Sequence, residues 1–219
     1  YFEGMSLFLI IRDRILTSLN ASQQSIVQSE RKRLSLPQGD AGLLIRALNS
    51  DNTVIRQEGL RDLSRKVYHY NILEDEKIEK AVNKILREGS DGELSSLLEI
   101  LRAIIYKGTE REQEILKSWA DKIIHLAKTF TTTYIAGIAW ELLIYLKDGR
   151  AVELLTDWIV KLPDKEFENL NLQGRISQLK NSGLETSLRE ALYTILDQRK
   201  EEKIVTRVQK LFSDLRTYA

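Results

Sequence analysis

The chain has 219 residues, of which 42% are hydrophobic and 30% charged, a composition that indicates a globular protein and excludes a disordered one. Its 33 basic and 32 acidic residues leave a net charge of +1, so bulk charge provides no strong attraction to nucleic acid or to a membrane surface. The absence of cysteine excludes disulfides, thiolate catalysis and cysteine–metal sites, and no apolar run reaches the roughly 18 residues of a membrane span. We therefore expect a soluble, cytoplasmic protein that does not bind membranes.

The N-terminal residues divide into two parts. Residues 1–4 resemble the remnant of an engineered protease site, and Met5, the single methionine, fits a native start. Residues 5–36 predict an N-terminal helical cap, with helices at 6–19 and 22–34 that form a pair or one bent helix. The first of these helices is too apolar to remain in water, so we expect it to dock on the rest of the chain or to form a dimer seam.

Residues 37–219 predict a single domain of paired helices. The two prolines, Pro37 and Pro163, lie where helices should begin or end, and most glycines fall between segments with helical periodicity. Residues suited to capping a helix N-terminus occur at Asp51, Asp91, Thr109, Thr131 and Ser182. The predicted helices span residues 40–49, 53–70, 74–88, 91–107, 110–129, 132–147, 150–162, 165–181, 184–198 and 200–217.

The pattern of apolar residues predicts that most of these helices bury one face. In the segment 53–70, for example, Leu60, Leu63 and Val67 recur at the spacing of one helical face. The segment 132–147 differs because it is apolar nearly all round. A helix of that kind must be covered on every side, so we expect it at the centre of the domain.

The helix pairs recur along the chain at a nearly regular interval. They begin near residues 40, 74, 110, 150 and 184, in steps of 34–40 residues. Units of helical-repeat proteins have this length, on the order of 34–47 residues. One pair cannot cover both of its faces, whereas a stack of about five buries a continuous core.

Two stretches resemble known helical repeats. Residues 43–63 are similar to a HEAT repeat, with leucines in the first helix, Asp51 in the turn and Arg56 at the arginine position of the second helix. Residues 135–155 are similar to the lyase-type HEAT-like variant, with its turn at 148–152. The resemblance implies an all-α, right-handed solenoid of about five HEAT-like hairpins, preceded by the N-terminal cap. It implies an architecture and no particular function, since such arrays have many roles.

The polar residues contain no strong metal or catalytic motif. His69 and His125 lack a second histidine at helical spacing, so we interpret them as surface residues and expect no metal or other cofactor. The acidic run at 74–76 could indicate a cation site, but carboxylates are also favourable at a helix start, which is the interpretation we prefer. Neither a phosphate-binding glycine loop nor a nucleophile motif occurs.

The tryptophans suggest one enzymatic alternative, because each has an acidic neighbour in the sequence. Alkyl-purine DNA glycosylases built from HEAT-like repeats use an aromatic-lined concave surface with a carboxylate, so base excision is one hypothesis. The near-neutral charge argues against it, and tryptophans at helix-pair spacing favour burial in the core. The residues concerned are Trp119, Trp140 and Trp158, with Asp121, Glu141 and Asp157.

Groups of basic residues are the candidate binding sites. The first group lies on the last helix, where its side chains fall within an arc of roughly 80° around the helix axis. The second group lies at residues 31–33, and the third lies on the second helix of the HEAT-like stretch. We predict a non-enzymatic scaffold or adaptor that holds a protein partner on a concave face lined by the second helices. The alternative is nucleic-acid binding on the same face, and the oligomeric state is left open. The predicted binding residues are Arg56, Arg65, Lys66, Arg199, Lys203, Arg207 and Lys210.

Overall fold

The computed structural model describes residues 37–130, 134–176 and 178–217, which belong to one compact unit. Within these ranges the chain is all-α and contains no strand, as the sequence predicts. None of the described helices combines the length and the apolar character needed to cross a membrane. The predicted cap at 5–36 and the predicted capping residue Thr131 lie outside the described residues.

The first four described helices are α1 (Gln38–Leu48), α2 (Thr53–Lys66), α3 (Glu76–Glu88) and α4 (Asp91–Lys107). Helix α1 packs on α2 and α3 packs on α4, so consecutive helices form pairs. In addition, α1 contacts α3 and α2 contacts α4. Each helix of the first pair therefore meets its counterpart in the second.

The next four helices are α5 (Glu110–Ser118), α6 (Ala120–Thr129), α7 (Tyr134–Tyr145) and α8 (Arg150–Lys161). The prediction of one helix at 110–129 is wrong, because the backbone leaves helical geometry at the buried residue Trp119, between α5 and α6. Helix α6 packs along α7, and α7 packs on α4. Helices α2, α4 and α7 therefore pack side by side in that order.

The last helices are α9 (Asp164–Asn169), α10 (Gln173–Ile176), α11 (Leu179–Ser182), α12 (Glu185–Gln198) and α13 (Glu202–Thr217). The prediction of one helix at 165–181 is also wrong. Asn171 takes a left-handed conformation with φ of 49° after α9, which asparagine tolerates better than most residues but which interrupts a helix. Helices α12 and α13 pack together, both contact α8, and α10 contacts α13.

Helix α7 lies in the core, as its apolar character predicts. Its side chains are buried from Ile135 to Ile144, and it packs on α4, α6 and α8. The indole Nε1 of Trp140 donates a 2.7 Å hydrogen bond to the carbonyl oxygen of Ala151, so the buried indole N–H has a partner. The ring of Trp158 lies 6.5 Å from that of Trp140. Trp119 is buried as well, which confirms the interpretation of the tryptophans as core residues.

Side-chain hydrogen bonds explain where several helices begin. The carboxylate of Asp75 accepts hydrogen bonds from the backbone N–H groups of Lys77 and Ile78, at 2.9 and 3.2 Å, so the acidic run at 74–76 is a helix start. The predicted cap Thr109 accepts from the N–H of Glu112 at 3.2 Å.

Three predicted caps are displaced by one or two residues. Helix α2 is capped by Asn52, and not by Asp51, since the Asn52 side chain accepts from the N–H of Val54 at 2.8 Å. Ser90, and not Asp91, is the N-cap of α4, and Leu184, and not Ser182, is that of α12. Asp91 lies one position inside its helix, where its side chain cannot turn back to the free N–H groups in the same way, whereas Asp51 and Ser182 lie one and two positions before the N-cap.

Candidate functional site

A groove of about 1390 Å³ runs along α2, α4 and α7 and is completed by residues of the segment 171–178. We call it the α2–α4–α7 groove. Its volume exceeds the roughly 300–1,000 Å³ of a small-molecule site. The space therefore suits a piece of extended chain better than a compact metabolite.

The same spacing of groove positions recurs on two neighbouring helices, and a tyrosine occupies the last position of each set. The spacing i, i+4, i+7 and i+11 places four residues on one helical face. Each residue on α4 lies 38 positions after its counterpart on or just after α2. The first set is Gln57, Arg61, Ser64 and Tyr68, and the second is Ser95, Glu99, Arg102 and Tyr106.

Three half-exposed tyrosines, Tyr68, Tyr106 and Tyr134, face the groove. The Lys107 ammonium lies 4.8 Å from the centre of the Tyr68 ring, within cation–π distance. The Tyr106 ring makes an edge contact with Tyr145, with ring centres 4.7 Å apart. Burial and the nearby carboxylate of Glu141 raise the pKa of the Tyr106 phenol, so this hydroxyl stays protonated and can donate a hydrogen bond.

The buried carboxylate of Glu141 lies at the floor of the groove. Its Oε2 atom is 3.4 Å from Nη1 of Arg102 and 3.6 Å from Nε of Arg175. Its Oε1 atom accepts a 3.3 Å hydrogen bond from the hydroxyl of Tyr145. The negative charge of Glu141 is thus balanced by two guanidinium groups, which makes its burial tolerable.

Arg102 joins this buried carboxylate to the groove wall. Its Nη2 atom lies 2.7 Å from Oε2 of Glu99, whose Oε1 accepts a 2.8 Å hydrogen bond from the hydroxyl of Tyr134. Burial opposes the charge on Arg102, but the carboxylates of Glu99 and Glu141 raise the pKa of its guanidinium overall. The donors of Arg102 are therefore largely occupied by acidic groups of the chain itself.

Arg175 is placed differently. Only 6% of its surface is exposed, yet its Nε atom has no hydrogen-bond partner among the described residues. Its guanidinium carbon lies 5.0 Å from the centre of the Tyr134 ring, so the charged group stacks on the aromatic face. Gly137 in α7 lies beside this side chain, since a Cβ atom there would be in van der Waals contact with Nε of Arg175 at 3.4 Å.

The lining residues carry a moderate excess of positive charge. The two acidic groups, Glu99 and Glu141, already contact Arg102. Arg61 pairs with Glu58 at the exposed edge of α2. The formal excess is two positive charges, from Arg61, Arg102, Lys107 and Arg175 against Glu99 and Glu141.

None of the seven predicted binding residues lines this groove, and Arg56 instead joins two helix pairs. Its Nε atom is 2.6 Å from the carboxylate of Glu93 on α4, and its Nη1 atom donates to the carbonyl oxygen of Ser50 at 2.8 Å. Burial would raise the pKa of Glu93, but hydrogen bonds from Arg56 and Ser90 lower it to about 2. The arginine of the HEAT-like stretch thus has a structural partner.

Arg207, on the last helix, is also occupied by the chain itself. It is buried, donates to the carbonyl oxygen of Ile159 at 2.8 Å, and lies 2.6 Å from the carboxylate of Asp164. Its guanidinium also stacks on Phe167, 4.5 Å from the ring centre. Lys203 reaches the same carboxylate of Asp164 at 3.8 Å.

The four remaining predicted residues lie on the surface or near it. Lys66 pairs with Asp62 at 2.9 Å, and Arg199 pairs with Glu201 at 3.6 Å. Arg65 and Lys210 are exposed. A binding role for any of the seven stays a prediction.

The acidic residues considered for base excision are separated by the fold. Of the three, only Glu141 lines the groove, and its carboxylate is flanked by two arginines. Asp121 pairs with Arg150 at 2.6 Å, and Asp157 pairs with Lys161 at 2.7 Å, both away from the groove.

The described residues contain no group of three or more His, Asp and Glu side chains that could hold a metal ion. His69 and His125 are exposed, as predicted.

The groove residues that sequence reasoning missed are the tyrosines and the arginines Arg102 and Arg175. The step of 38 residues was a usable signal for Tyr68 and Tyr106, because it is visible in the sequence, but it gives none for Arg102, whose counterpart is Ser64. No such signal exists for Arg175, since it lies on a four-residue helix beyond a break that was not predicted.

No protein-family model matches the chain, and no curated protein compared with it shows significant sequence similarity. The function is therefore inferred from the groove and its chemistry.

Proposed function

We propose that the chain is a non-enzymatic scaffold that holds a segment of a protein partner in the α2–α4–α7 groove. The observation that carries this proposal is an open groove lined by half-exposed tyrosines and by arginines. Tyrosine and arginine are enriched where proteins bind each other, because each supplies a large contact area together with hydrogen-bond donors. The groove volume fits an extended segment.

The proposed architecture is a right-handed array of about five HEAT-like hairpins. Three observations support it: the packing of α1 on α2 and of α3 on α4, the contacts of α2 with α4 and of α4 with α7, and the step of 38 residues between matched groove positions. In such an array the second helices form one continuous wall, so each hairpin contributes a few side chains to a long surface.

Peptide selection on matched variants tests the proposal. A displayed library of short random peptides is selected on the wild-type protein, and the affinities are measured again on Ser96→Trp. Ser96 is exposed and lines the groove, so a large side chain there fills the groove without entering the core. Ser118→Trp is the control, because Ser118 is exposed and does not line the groove.

We expect selected peptides to bind the wild type and Ser118→Trp equally, and to bind Ser96→Trp at least about tenfold more weakly. Peptides that bind all three proteins alike, or a library that yields no binder, would contradict the proposal.

Nucleic acid is the second candidate occupant of the groove. The observation that favours nucleic acid is the excess of cationic side chains beside tyrosines. Aromatic rings can stack on bases, and cations can contact phosphates. Fluorescence anisotropy with single- and double-stranded oligonucleotides tests this candidate. Binding to phosphates should weaken steeply between about 50 and 200 mM salt and should be lost in Ser96→Trp. No binding at the lower salt concentration removes the candidate.

A further inference from the structure

The Nε atom of Arg175 is a buried donor without a hydrogen-bond partner among the described residues, although the charge of the guanidinium lies beside the carboxylate of Glu141. The Arg175 side chain is 7% exposed, and the nearest carboxylate oxygen, Oε2 of Glu141, lies 3.6 Å from Nε, which is beyond hydrogen-bonding distance. Nε has no other partner among the described residues. A buried donor without a partner loses its hydration without compensation, and this cost is greater for a charged group than for a neutral one.

The surroundings of Arg175 hold this group in place. The ring of Tyr134 lies under the guanidinium, and the Tyr134 hydroxyl is in turn held by Glu99. On the side of α7, Gly137 allows the close approach of the carbonyl oxygen of Leu170, in the chain that leads to Arg175. The orientation of the guanidinium is therefore set before any ligand arrives, which lowers the entropic cost of binding.

We infer that Arg175 is the anchor for a carboxylate of the bound protein segment, from an aspartate or glutamate side chain. This inference rests on the proposed function. A planar guanidinium matches a carboxylate by two parallel hydrogen bonds, and the terminal Nη atoms are the donors that would face a ligand in the groove. The carboxylate would bind Arg175 from the groove side, while the tyrosines contact the neighbouring residues of the segment.

Local charge selects a carboxylate over a phosphate. Arg102, Arg175, Glu99 and Glu141 together carry no net charge, and both acidic groups lie close to the arginines. A ligand with a single negative charge leaves this cluster at −1. A phosphoryl group, with a charge of about −1.5 to −2 at neutral pH, would be repelled more strongly by Glu99 and Glu141.

A double-mutant cycle between Arg175 and the peptide tests the inference. Peptides selected on the wild type are synthesised in their original form, with the acidic residue changed to its amide, and with phosphoserine in its place. Each form is titrated against the wild type and against Arg175→Lys. The lysine keeps a positive charge beside Glu141 and so protects the fold, but it lacks the planar pair of donors.

Arg111→Lys is the control, because Arg111 is exposed and lies outside the groove. Thermal unfolding of each variant establishes that the fold is kept. If Arg175→Lys fails to fold, Tyr134→Phe, which frees the ring that supports the guanidinium, replaces it in the cycle.

We expect the selected peptides to be enriched in aspartate or glutamate. The acid-to-amide change should weaken binding to the wild type by about tenfold and should have little further effect in Arg175→Lys. Groove peptides without acidic residues, an equal loss in both proteins, or tighter binding of the phosphoserine form would each overturn the inference and leave the proposed function standing. The proposed function itself would be overturned by a library that yields no binder or by binding that is insensitive to Ser96→Trp.

Discussion

At the scale of single residues, the pair formed by Arg56 and Glu93 connects two helix pairs and makes stability depend on pH. The carboxylate is buried and hydrogen-bonded, and its pKa is lowered from 4.5 to about 2. The unfolded chain therefore takes up this proton at a higher pH than the folded one. The contribution of the pair is present in full above about pH 4.5 and is lost as the pH falls towards 2, in total on the order of 3 kcal/mol.

This pH dependence can be measured by urea unfolding at several values between about pH 5 and pH 3. We expect the free energy of unfolding of the wild type to fall over this range, and we expect Glu93→Gln to show a smaller decrease although it starts from a lower value. Glu58→Gln is the control, because the Glu58 carboxylate is exposed. An unchanged pH slope in Glu93→Gln would contradict the assignment.

Gly137 provides a second test at the same scale. A Cβ atom there would lie 2.6 Å from the carbonyl oxygen of Leu170, so alanine forces α7 away from the chain that leads to Arg175. We expect Gly137→Ala to lower the free energy of unfolding by about 1–3 kcal/mol and to weaken groove binding.

Gly42→Ala is the matched control for Gly137→Ala, because Gly42 also lies inside a helix but has open space where its Cβ would be. Alanine there should raise the free energy of unfolding by about 0.5–1 kcal/mol, through its greater helix propensity. Both changes are measured by urea unfolding. Equal effects of the two substitutions would show that contact with Leu170 does not matter.

At the scale of helices, capping side chains determine where α3 begins. Asp75 accepts two backbone hydrogen bonds and should contribute about 1 kcal/mol. We expect Asp75→Ala to lower the free energy of unfolding by that amount, and Asp91→Ala, which changes an exposed residue inside the first turn of α4, to have a smaller effect. Chemical unfolding of the two variants side by side is the measurement, and a larger loss in Asp91→Ala would contradict the assignment of the caps.

The helices that the sequence predicts well are those whose own apolar pattern determines their extent and burial. The bounds of α4 match the predicted 91–107, and α7 is buried on all sides as its composition predicts. The breaks at Trp119 and Asn171 could not be predicted in this way, since neither residue excludes a helix by itself. A buried ring lies at one break and a left-handed backbone at the other, and neither feature is encoded by the local apolar pattern.

At the scale of the whole molecule, part of the candidate site could be predicted from the local sequence and part could not. The tyrosines of α2 and α4 recur at a fixed step and could be predicted, whereas the contact of Arg175 with Glu141 joins residues from different helices across a break. The predicted basic groups show that a pattern visible in the sequence can also mislead. Arg207 looked like part of a surface stripe, but it is buried against Ile159 and Asp164. A count of charges along one helix does not reveal which of them face a neighbouring helix.

Local stability should also differ across the described unit. Helix α7 is buried between α4, α6 and α8, while α9, α10 and α11 are short and follow each other through breaks. We expect amide hydrogen exchange to be slowest in α7 and much faster in α9–α11, because opening a short helix exposes few apolar contacts. Hydrogen exchange followed by mass spectrometry measures both regions in one experiment. Similar rates in the two would contradict this distribution of stability.

The burial of Trp119, Trp140 and Trp158, which are all the tryptophans of the chain, has a spectroscopic consequence. Their emission should be blue-shifted in the native protein and poorly quenched by acrylamide, and it should move to longer wavelength on unfolding. Because none of the three lines the groove, a peptide bound there should leave this signal nearly unchanged. Intrinsic fluorescence therefore reports on folding alone, and a Tyr106→Trp variant would place a separate optical reporter where the ligand binds.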